Sequence, residues 1–210
     1  MRNFLYLFIN LLIFLPVLVL SFKTDVKPHK HIVSLAAAYL LVSLPFIIWD
    51  IWATSQGHWG FNSQYITGVS LFGMPIEEYL FFITVPFAMI YVWGVIKKFV
   101  ADGSAMVLVP LVFLGLAAGS SVWLLISQWS NGYTRFAAIA MLITVIFAVI
   151  SRLAYTKRFW AFQLLLLGLF LIFNSVLTGL PIVTYGSDAI IGLRIGDIPI
   201  EDFYFNFAFI

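Results

Sequence analysis

The chain has 210 residues, of which 63% are hydrophobic, 18% are aromatic and only 10% are charged, and its net charge is +2. A soluble domain carries roughly 25% charged residues, so this composition and the mean hydropathy of +1.06 predict an integral membrane protein with no separate soluble domain. The small net charge argues against a nucleic-acid partner, and the lack of Cys excludes disulfides and Cys metal sites.

Six apolar stretches approach the roughly 20 residues that a membrane-spanning helix needs. The predicted spans are 3–22, 32–54, 76–96, 105–128, 136–152 and 159–181. The first is predicted to span rather than to be a cleaved signal peptide, because no small-x-small cleavage site follows it.

A seventh helix begins near Ile200. From Pro199 it would be roughly 18 Å long, short of a ~30 Å hydrocarbon core. We therefore expect it to be incomplete, which leaves open whether the chain ending at Ile210 is active.

The basic residues predict an orientation. The first, third and fifth connections between the spans hold eight of the 11 Lys and Arg residues. Because cytoplasmic loops carry an excess of Lys and Arg, the N-terminus is expected outside the cytoplasmic (inner) membrane.

An internal repeat relates the two halves of the chain. Two sequences, PIEE at 75–78 and PIED at 199–202, align when the chain is shifted by 124 residues. The shift places Pro75, Glu77, Glu78, Phe81 and Asp50 on Pro199, Glu201, Asp202, Phe205 and Asn174.

The prediction is an all-α polytopic helix bundle of about seven transmembrane helices, arranged as a 3+1+3 parallel repeat. Residues 1–98 form the first repeat, 99–134 a connector helix and 135–210 the second repeat. The Gly115-to-Gly119 spacing in the connector suggests close helix packing.

The paired carboxyls are the candidate catalytic residues. Acidic residues in the first turn of one helix are also favoured by the helix dipole, but the duplication at membrane depth favours a functional site. Desolvation raises the pKa of a carboxylic acid, and two neighbouring carboxyls can share one proton. The prolines are expected in the first helical turn, where a missing N–H costs nothing.

The two motifs, each opening a Phe-rich helix, resemble those of the membrane lycopene cyclases, in the form in which two small subunits are fused into one chain. The resemblance covers essentially all 210 residues. It implies cyclisation of the linear ψ-ends of lycopene to β-ionone rings without net redox. It also implies a site between the halves, with Glu77, Glu78, Glu201 and Asp202 as catalytic residues supported by Pro75 and Pro199. The implied partners are lycopene or a related linear carotenoid and the lipid bilayer, and contact with other carotenoid-pathway enzymes is left open.

Other residues are candidates for substrate support. Aromatic ring faces stabilise a developing cation and exclude water, although most Phe in a membrane bundle face lipid or core and Trp and Tyr collect at interfaces. The candidates are Trp49, Phe72, Tyr79, Phe81 and Phe82 near the first motif and Tyr204 and Phe205 near the second. Asp50 and its counterpart Asn174 are further candidates, with loop capping as the alternative for Asp50.

The sequence lacks the features that three other functions require. A retinal protein needs a Lys within a helix, a prenyltransferase needs Asp-rich motifs, and a flavin-dependent cyclase needs a Gly-x-Gly-x-x-Gly turn, none of which is found. The prediction is therefore an enzyme that needs neither a metal nor a dinucleotide cofactor. The alternative that stays open is a proton-coupled transporter or another intramembrane isoprenoid-binding protein. Ring type, the number of ends cyclised, carotenoid length, oligomeric state and the assignment of acid and base also stay open.

Overall fold

The computed structural model describes residues 2–105 and 108–210, with the side chain of residue 109 excepted. This part of the chain is predominantly helical, as predicted, and contains three small strand pairs. Its α-helices are α1 (Leu5–Lys23), α2 (Ile32–Ala38), α3 (Leu44–Ser55), α4 (Ile76–Phe99), α5 (Leu108–Ser127), α6 (Gly132–Ile150), α7 (Lys157–Gly179) and α8 (Ile200–Phe209). Its strands are β1 (Trp59–Phe61), β2 (Ser70–Leu71), β3 (Met74–Pro75), β4 (Val183–Tyr185), β5 (Arg194–Ile195) and β6 (Ile198–Pro199). Short 3-10 turns cover Arg2–Phe4, Pro28–Lys30 and Leu153–Tyr155.

Six helical stretches in the described residues are long and apolar enough to cross a membrane, and they confirm the six predicted spans. They are Arg2–Lys23, Ile32–Ser55, Ile76–Phe99, Pro110–Ser127, Gly132–Ile150 and Lys157–Gly179. The second stretch joins α2 to α3 through one π-helical segment, Tyr39–Ser43. Large apolar side chains point outward from these helices: Leu41, Ile126 and Ile150 are 76%, 80% and 77% exposed. Such surfaces are stable in lipid, so the chain is an integral membrane protein with an all-α polytopic fold.

The start of the fifth span differs from the prediction. The span was expected over 136–152, but α6 begins at Gly132. Hydropathy assigns the polar turn before residue 136 to a loop, whereas hydrogen bonds extend the helix through it. The backbone N–H groups of Tyr133 and Thr134 both donate to the Ala189 carbonyl, at 3.0 and 3.2 Å, and the Asn131 side chain donates to the Ile190 carbonyl at 2.8 Å. Tyr133 and Thr134 therefore belong to a helix.

The chain divides into two compact units. The first comprises Met1–Val95 and Val176–Thr184, and the second comprises Ile96–Ser175 and Tyr185–Ile210. In the first unit, α1 packs on α4 through the Phe14 and Phe87 rings, whose centroids lie 5.2 Å apart. β1 pairs with β4, of which Val183 and Thr184 belong to this unit. The predicted division at 1–98, 99–134 and 135–210 stays a prediction.

The second unit has an apolar core built mainly from α5, α6, α7 and α8. Its buried side chains are Leu114, Ala117, Met141, Val145, Ala148, Ala154, Phe159 and Phe207. Gly115 and Gly119 lie outside this core, and a Cβ atom added at either would meet no described atom within 4 Å. The close packing that their spacing suggested is therefore not found among the described residues.

Two equivalent hairpins lead into the helices that carry the acidic motifs. β2 pairs with β3 and β5 with β6, with Ser70 opposite Pro75 and Arg194 opposite Pro199. Pro75 ends a strand and Pro199 is the N-cap residue of α8, so both lie just before the first turn in which they were expected. A proline at the end of an edge strand also loses no ladder hydrogen bond, which explains why it is tolerated there.

Candidate active sites

The hairpin before each acidic helix determines where the first carboxyl of the motif lies. Glu77 and Glu201 are the second residues of α4 and α8. Oε1 of Glu77 accepts the backbone N–H of Thr67 at 2.6 Å, and Oε1 of Glu201 accepts the backbone N–H of Ile191 at 2.8 Å. Since Thr67 and Ile191 are also 124 residues apart, the two glutamates anchor the same loop in both repeats.

The glycines that follow these anchored N–H groups explain the local backbone path. Gly68 has φ +84° and Gly192 has φ +80°. This left-handed conformation is accessible to glycine at no steric cost. It lets the loop present its N–H group to the glutamate and then enter the hairpin.

The second oxygen of each glutamate is unusual. Glu77 is 0% exposed and Glu201 is 1% exposed. Oε2 of both residues is buried without a hydrogen-bond partner among the described residues. Buried polar atoms are nearly always hydrogen-bonded, so two equivalent exceptions in one chain call for an explanation.

In the first unit, the second carboxyl of the motif belongs to a buried polar cluster. Glu78 accepts the hydroxyl of Tyr6 at Oε2. The Glu78 carboxyl also interacts electrostatically with the carboxyl of Asp50, which is 2% exposed. Oδ1 of Asp50 accepts the Trp59 indole N–H at 2.8 Å and the Thr54 hydroxyl at 3.2 Å.

Asn10 links this cluster to the start of α4. Its amide donates to the backbone carbonyls of Tyr6 and Glu77, at 3.1 Å each. Its Oδ1 accepts the Thr84 hydroxyl at 3.0 Å. Asn10 is 1% exposed, so α1 and α4 are joined by a fully buried amide.

In the second unit, the second carboxyl is surrounded by donors. Oδ1 of Asp202 accepts the Tyr133 hydroxyl at 2.7 Å. Oδ2 accepts the Tyr185 hydroxyl at 2.6 Å and the Asn174 amide at 2.7 Å. Oε1 of the neighbouring Glu201 accepts a second donor, the Thr134 hydroxyl, at 2.6 Å.

The two tyrosines that donate from the first helix of each repeat are structural equivalents. The backbone N–H of Tyr6 donates to the Tyr65 carbonyl, and that of Tyr133 donates to the carbonyl of Ala189, the counterpart of Tyr65. The Tyr6 ring stacks on Phe61 at 6.3 Å, and the Tyr133 ring stacks on Tyr185 at 6.0 Å. Phe61 and Tyr185 are related by the 124-residue shift, whereas the two stacked tyrosines are 127 residues apart. That three-residue difference hid the equivalence in the sequence.

The structure brings several predicted residues together. Asp50 interacts electrostatically with Glu78 in the first unit, and its counterpart Asn174 donates a hydrogen bond to Asp202 in the second. Trp49 lies 4.7 Å from the ring of Trp59, the indole that donates to Asp50. Each motif makes the contacts described above within its own unit, and the expected shared site of the two halves stays a prediction.

The other predicted aromatics have structural contacts in the described residues. Tyr79 donates to the Leu71 carbonyl at 2.8 Å and so fastens the hairpin, whereas Phe72 lies in the hairpin turn and is 74% exposed. Phe81 packs on the buried Phe82 at 5.4 Å. In the second unit, Tyr204 donates to Ser120 at 2.7 Å, and Phe205 lies 6.5 Å from Tyr133. Their expected contact with substrate stays a prediction.

The donors of these clusters were not among the predicted site residues. They are Tyr6, Asn10, Thr54, Trp59, Thr67 and Thr84 in the first unit and Tyr133, Thr134, Tyr185 and Ile191 in the second. Tyr185 could have been found, because the repeat aligns it with the aromatic Phe61. The others show no pattern that distinguishes them from ordinary interface or helix residues.

Comparison with known proteins identifies the family. The model of one family, lycopene cyclase, matches residues 3–96 and again residues 127–210. The two matched segments contain both acidic motifs and together cover most of the chain. No match was found among curated proteins or among solved structures. This protein therefore belongs to the lycopene cyclase family, and its general function is carotenoid cyclisation.

Proposed function

We propose that this chain is a lycopene cyclase of the β type, which converts the linear ψ-ends of lycopene or a related carotenoid into β-ionone rings. Glu77 and Glu78 in one repeat and Glu201 and Asp202 in the other are the proposed catalytic residues. The family match supports the class of reaction, and the proposed residues rest on the buried carboxyls described above.

One observation carries the proposal: Oε2 of Glu77 and Oε2 of Glu201 are both buried and both without a described partner. Leaving a buried polar group unpaired costs about 1–3 kcal/mol. The fold incurs this cost twice, at equivalent positions, while Oε1 of each residue is fixed by a backbone N–H. A carboxyl held by one oxygen, with the other left free, can exchange a proton with a substrate that offers no hydrogen-bonding group.

The reaction needs a proton donor and a proton acceptor, and no oxidant. A carboxylic O–H bond breaks as a C–H bond forms at the terminal double bond of the ψ-end, which leaves a tertiary carbocation. The next double bond closes the ring onto that carbon. A carboxylate then removes a proton from the ring, and the final double bond forms, so the atoms and electrons balance.

The surroundings of the carboxyls support this chemistry. Water would capture a carbocation as an alcohol, so the site must be dry. The described helices present apolar surfaces, and aromatic rings lie beside both motifs, including Trp49, Tyr79 and Phe81 in the first and Tyr204 and Phe205 in the second. We place the protein in the cytoplasmic membrane with its N-terminus outside, on the distribution of its basic residues.

Pigment analysis tests the proposal. The chain is expressed in a bacterial host that accumulates lycopene, and the extracted carotenoids are separated by chromatography. We expect a monocyclic or a bicyclic product from the unaltered protein. Glu77→Gln and Glu201→Gln should abolish it while the protein accumulates normally in the membrane. Asp188→Asn is the control, because this exposed acidic residue bonds to its neighbour Ser187 in a loop.

The possible results separate the competing functions. Full ring formation in both Gln variants would refute the catalytic role of the glutamates. If well-expressed protein leaves lycopene unchanged, an extended linear carotenoid is the next substrate to supply. Failure with both substrates would favour the proton-coupled transporter, which a proton-flux assay in proteoliposomes would detect.

A further inference from the structure

A cleft in the second unit lies between two connections that carry basic residues. Its volume is about 520 Å³, and its lining residues are Asp102, Gly103, Ser104, Arg152, Tyr155 and Thr156. The first three belong to the connection after α4, and the others belong to the connection between α6 and α7. Backbone hydrogen bonds join the two connections: the Ala105 N–H donates to the Tyr155 carbonyl at 2.8 Å, and the Lys157 N–H donates to the Gly103 carbonyl at 3.0 Å. Both walls of the cleft are therefore held in place by backbone contacts.

The charged side chains around the cleft leave it with positive charge. The Asp102 carboxylate in the lining pairs with the Arg158 guanidinium at 3.1 Å. Arg158 also donates from Nε to the Val100 carbonyl at 3.0 Å, so this arginine is fully engaged in holding the connection after α4. Arg152 and Lys157 form no ion pair with a described acidic residue. The Lys157 side chain lies over Gly103, with Nζ 3.9 Å from the position that a Cβ atom would occupy there.

The lining also offers hydrogen-bond donors. The Arg152 guanidinium and the hydroxyls of Ser104 and Tyr155 make no hydrogen bond to another described residue. Arg152 has φ +62°, in the left-handed region that a side chain with a Cβ atom adopts only at a cost. Since glycine would fit this backbone without strain, the strained arginine indicates a use for its side chain.

The surface beside the cleft is apolar. Phe99 and Ile150 are the last residues of α4 and α6, three residues before Asp102 and two residues before Arg152. Both side chains are exposed, as lipid-facing residues are. Basic pockets at the ends of membrane-spanning helices bind the head groups of anionic lipids. The apolar surface next to this cleft favours a lipid over a free phosphate ion, because acyl chains can lie on it.

We propose that this cleft binds the phosphate group of an anionic membrane lipid. The planar guanidinium of Arg152 can donate two parallel hydrogen bonds to phosphate oxygens, and Lys157 adds a second positive charge. Ser104 donates from the connection after α4, and Tyr155 donates from the connection between α6 and α7. A bound lipid would thus link the two connections. The site shares no residue with the acidic motifs, so this proposal does not depend on the proposed function.

Lipid titration tests the site. The full chain is purified in a mild detergent and titrated with phosphatidylglycerol, an anionic lipid, and the bound lipids are counted by native mass spectrometry. Phosphatidylcholine is the control lipid, because it has the same phosphodiester without net charge. The variants are Arg152→Gln and Lys157→Gln. Arg135→Gln is the matched control, because it removes the same charge near the opposite end of α6.

We expect phosphatidylglycerol to bind more tightly than phosphatidylcholine. Arg152→Gln should weaken the binding of the first phosphatidylglycerol by about fivefold or more, Lys157→Gln should also weaken it, and Arg135→Gln should leave it unchanged. An Arg152→Gln protein with undiminished affinity, or equal affinity for the two lipids, would overturn the proposal. Displacement of the lipid by inorganic phosphate would overturn the assignment to a lipid. If Arg152→Gln fails to fold, undiminished affinity of Lys157→Gln would be decisive against the site.

Arg152→Gly separates the backbone strain from lipid binding. Glycine adopts the left-handed conformation at no steric cost. In detergent without added lipid, this variant should therefore unfold at a temperature no lower than the unaltered protein does. Phosphatidylglycerol should then raise its unfolding temperature less than it raises that of the unaltered protein. A lower unfolding temperature together with an unchanged lipid-dependent rise would show that Arg152 has only a structural role.

Discussion

The substitution Tyr185→Phe tests whether the carboxyl of Asp202 is ionised. The hydroxyl of Tyr185 donates to Oδ2 of Asp202 at 2.6 Å, and its ring stacks on Tyr133 with an interplanar angle of 6°. The first repeat has a phenylalanine, Phe61, at the equivalent position, and that ring stacks on Tyr6 in the same way. The chain itself thus shows that phenylalanine fits the stack, so the substitution removes the hydroxyl and little else.

The expected cost follows from the charge of the acceptor. A hydrogen bond to a charged group contributes about 1.5–3 kcal/mol, compared with about 0.5–1.5 kcal/mol for a neutral pair. If Asp202 is ionised, Tyr185→Phe should lower the free energy of unfolding by the larger amount. Tyr204→Phe is the matched control in the same unit, because its hydroxyl bonds to the neutral Ser120 hydroxyl at 2.7 Å. We expect this control to fall in the smaller range.

Unfolding in mixed micelles of a mild and a denaturing detergent, followed by circular dichroism, gives both free energies. Combining Tyr185→Phe with Asp202→Asn in a double-mutant cycle then isolates the pair, since these residues are in direct contact. If Tyr185→Phe and Tyr204→Phe lower the free energy of unfolding equally, and the coupling energy in the cycle is near zero, Asp202 is not ionised.

Two further predictions concern glycines and use the same unfolding assay. Gly94→Ala should lower stability by about 1–3 kcal/mol through overpacking, because its Cβ would lie 2.4 Å from Cγ1 of Val26. Val26→Ala should restore much of this loss. Gly115→Ala should cause no loss, because a Cβ atom added there would meet no described atom within 4 Å. A Gly94→Ala protein as stable as the parent would contradict the close approach of Gly94 to Val26. Gly196→Ala should cost about 1–2 kcal/mol through left-handed backbone strain alone, because Gly196 has φ +62° in the second hairpin turn and open space around it. An unchanged free energy of unfolding would show that this turn relaxes to another conformation.

The helices could be predicted from the sequence because lipid exposure leaves apolar residues on every face of a spanning segment. All six predicted spans are present, with ends that shift by a few residues. The largest error of interpretation, at the start of α6, has a tertiary cause. Gly132, Tyr133 and Thr134 join the helix because the carbonyl of Ala189, a residue far along the chain, accepts two of their N–H groups. Hydropathy in a local window contains no information about such a partner.

The candidate site was only half predictable. The four carboxyls were found because duplicated acidic motifs are rare in apolar sequence, and the aligned Asp50 and Asn174 were found with them. Their hydroxyl donors were not, because Tyr6 and Tyr133 lie on the first helix of each repeat, where the alignment is displaced by three residues. Trp59 was not predicted for another reason: it lies in the short strand β1 between two spans, where an aromatic residue is expected at a membrane interface anyway.

The features that the repeats share and the features that differ follow a physical division. The glutamate carboxyls are anchored by backbone N–H groups, and the loops turn through glycines at equivalent positions, so this framework depends little on side-chain identity. The second carboxyl of each motif depends instead on side-chain donors, and there the repeats diverge, with Asp50 against Asn174 and Phe61 against Tyr185. A duplicated backbone framework can thus hold a carboxyl at the same place in both repeats, while single substitutions change the side chains that surround it.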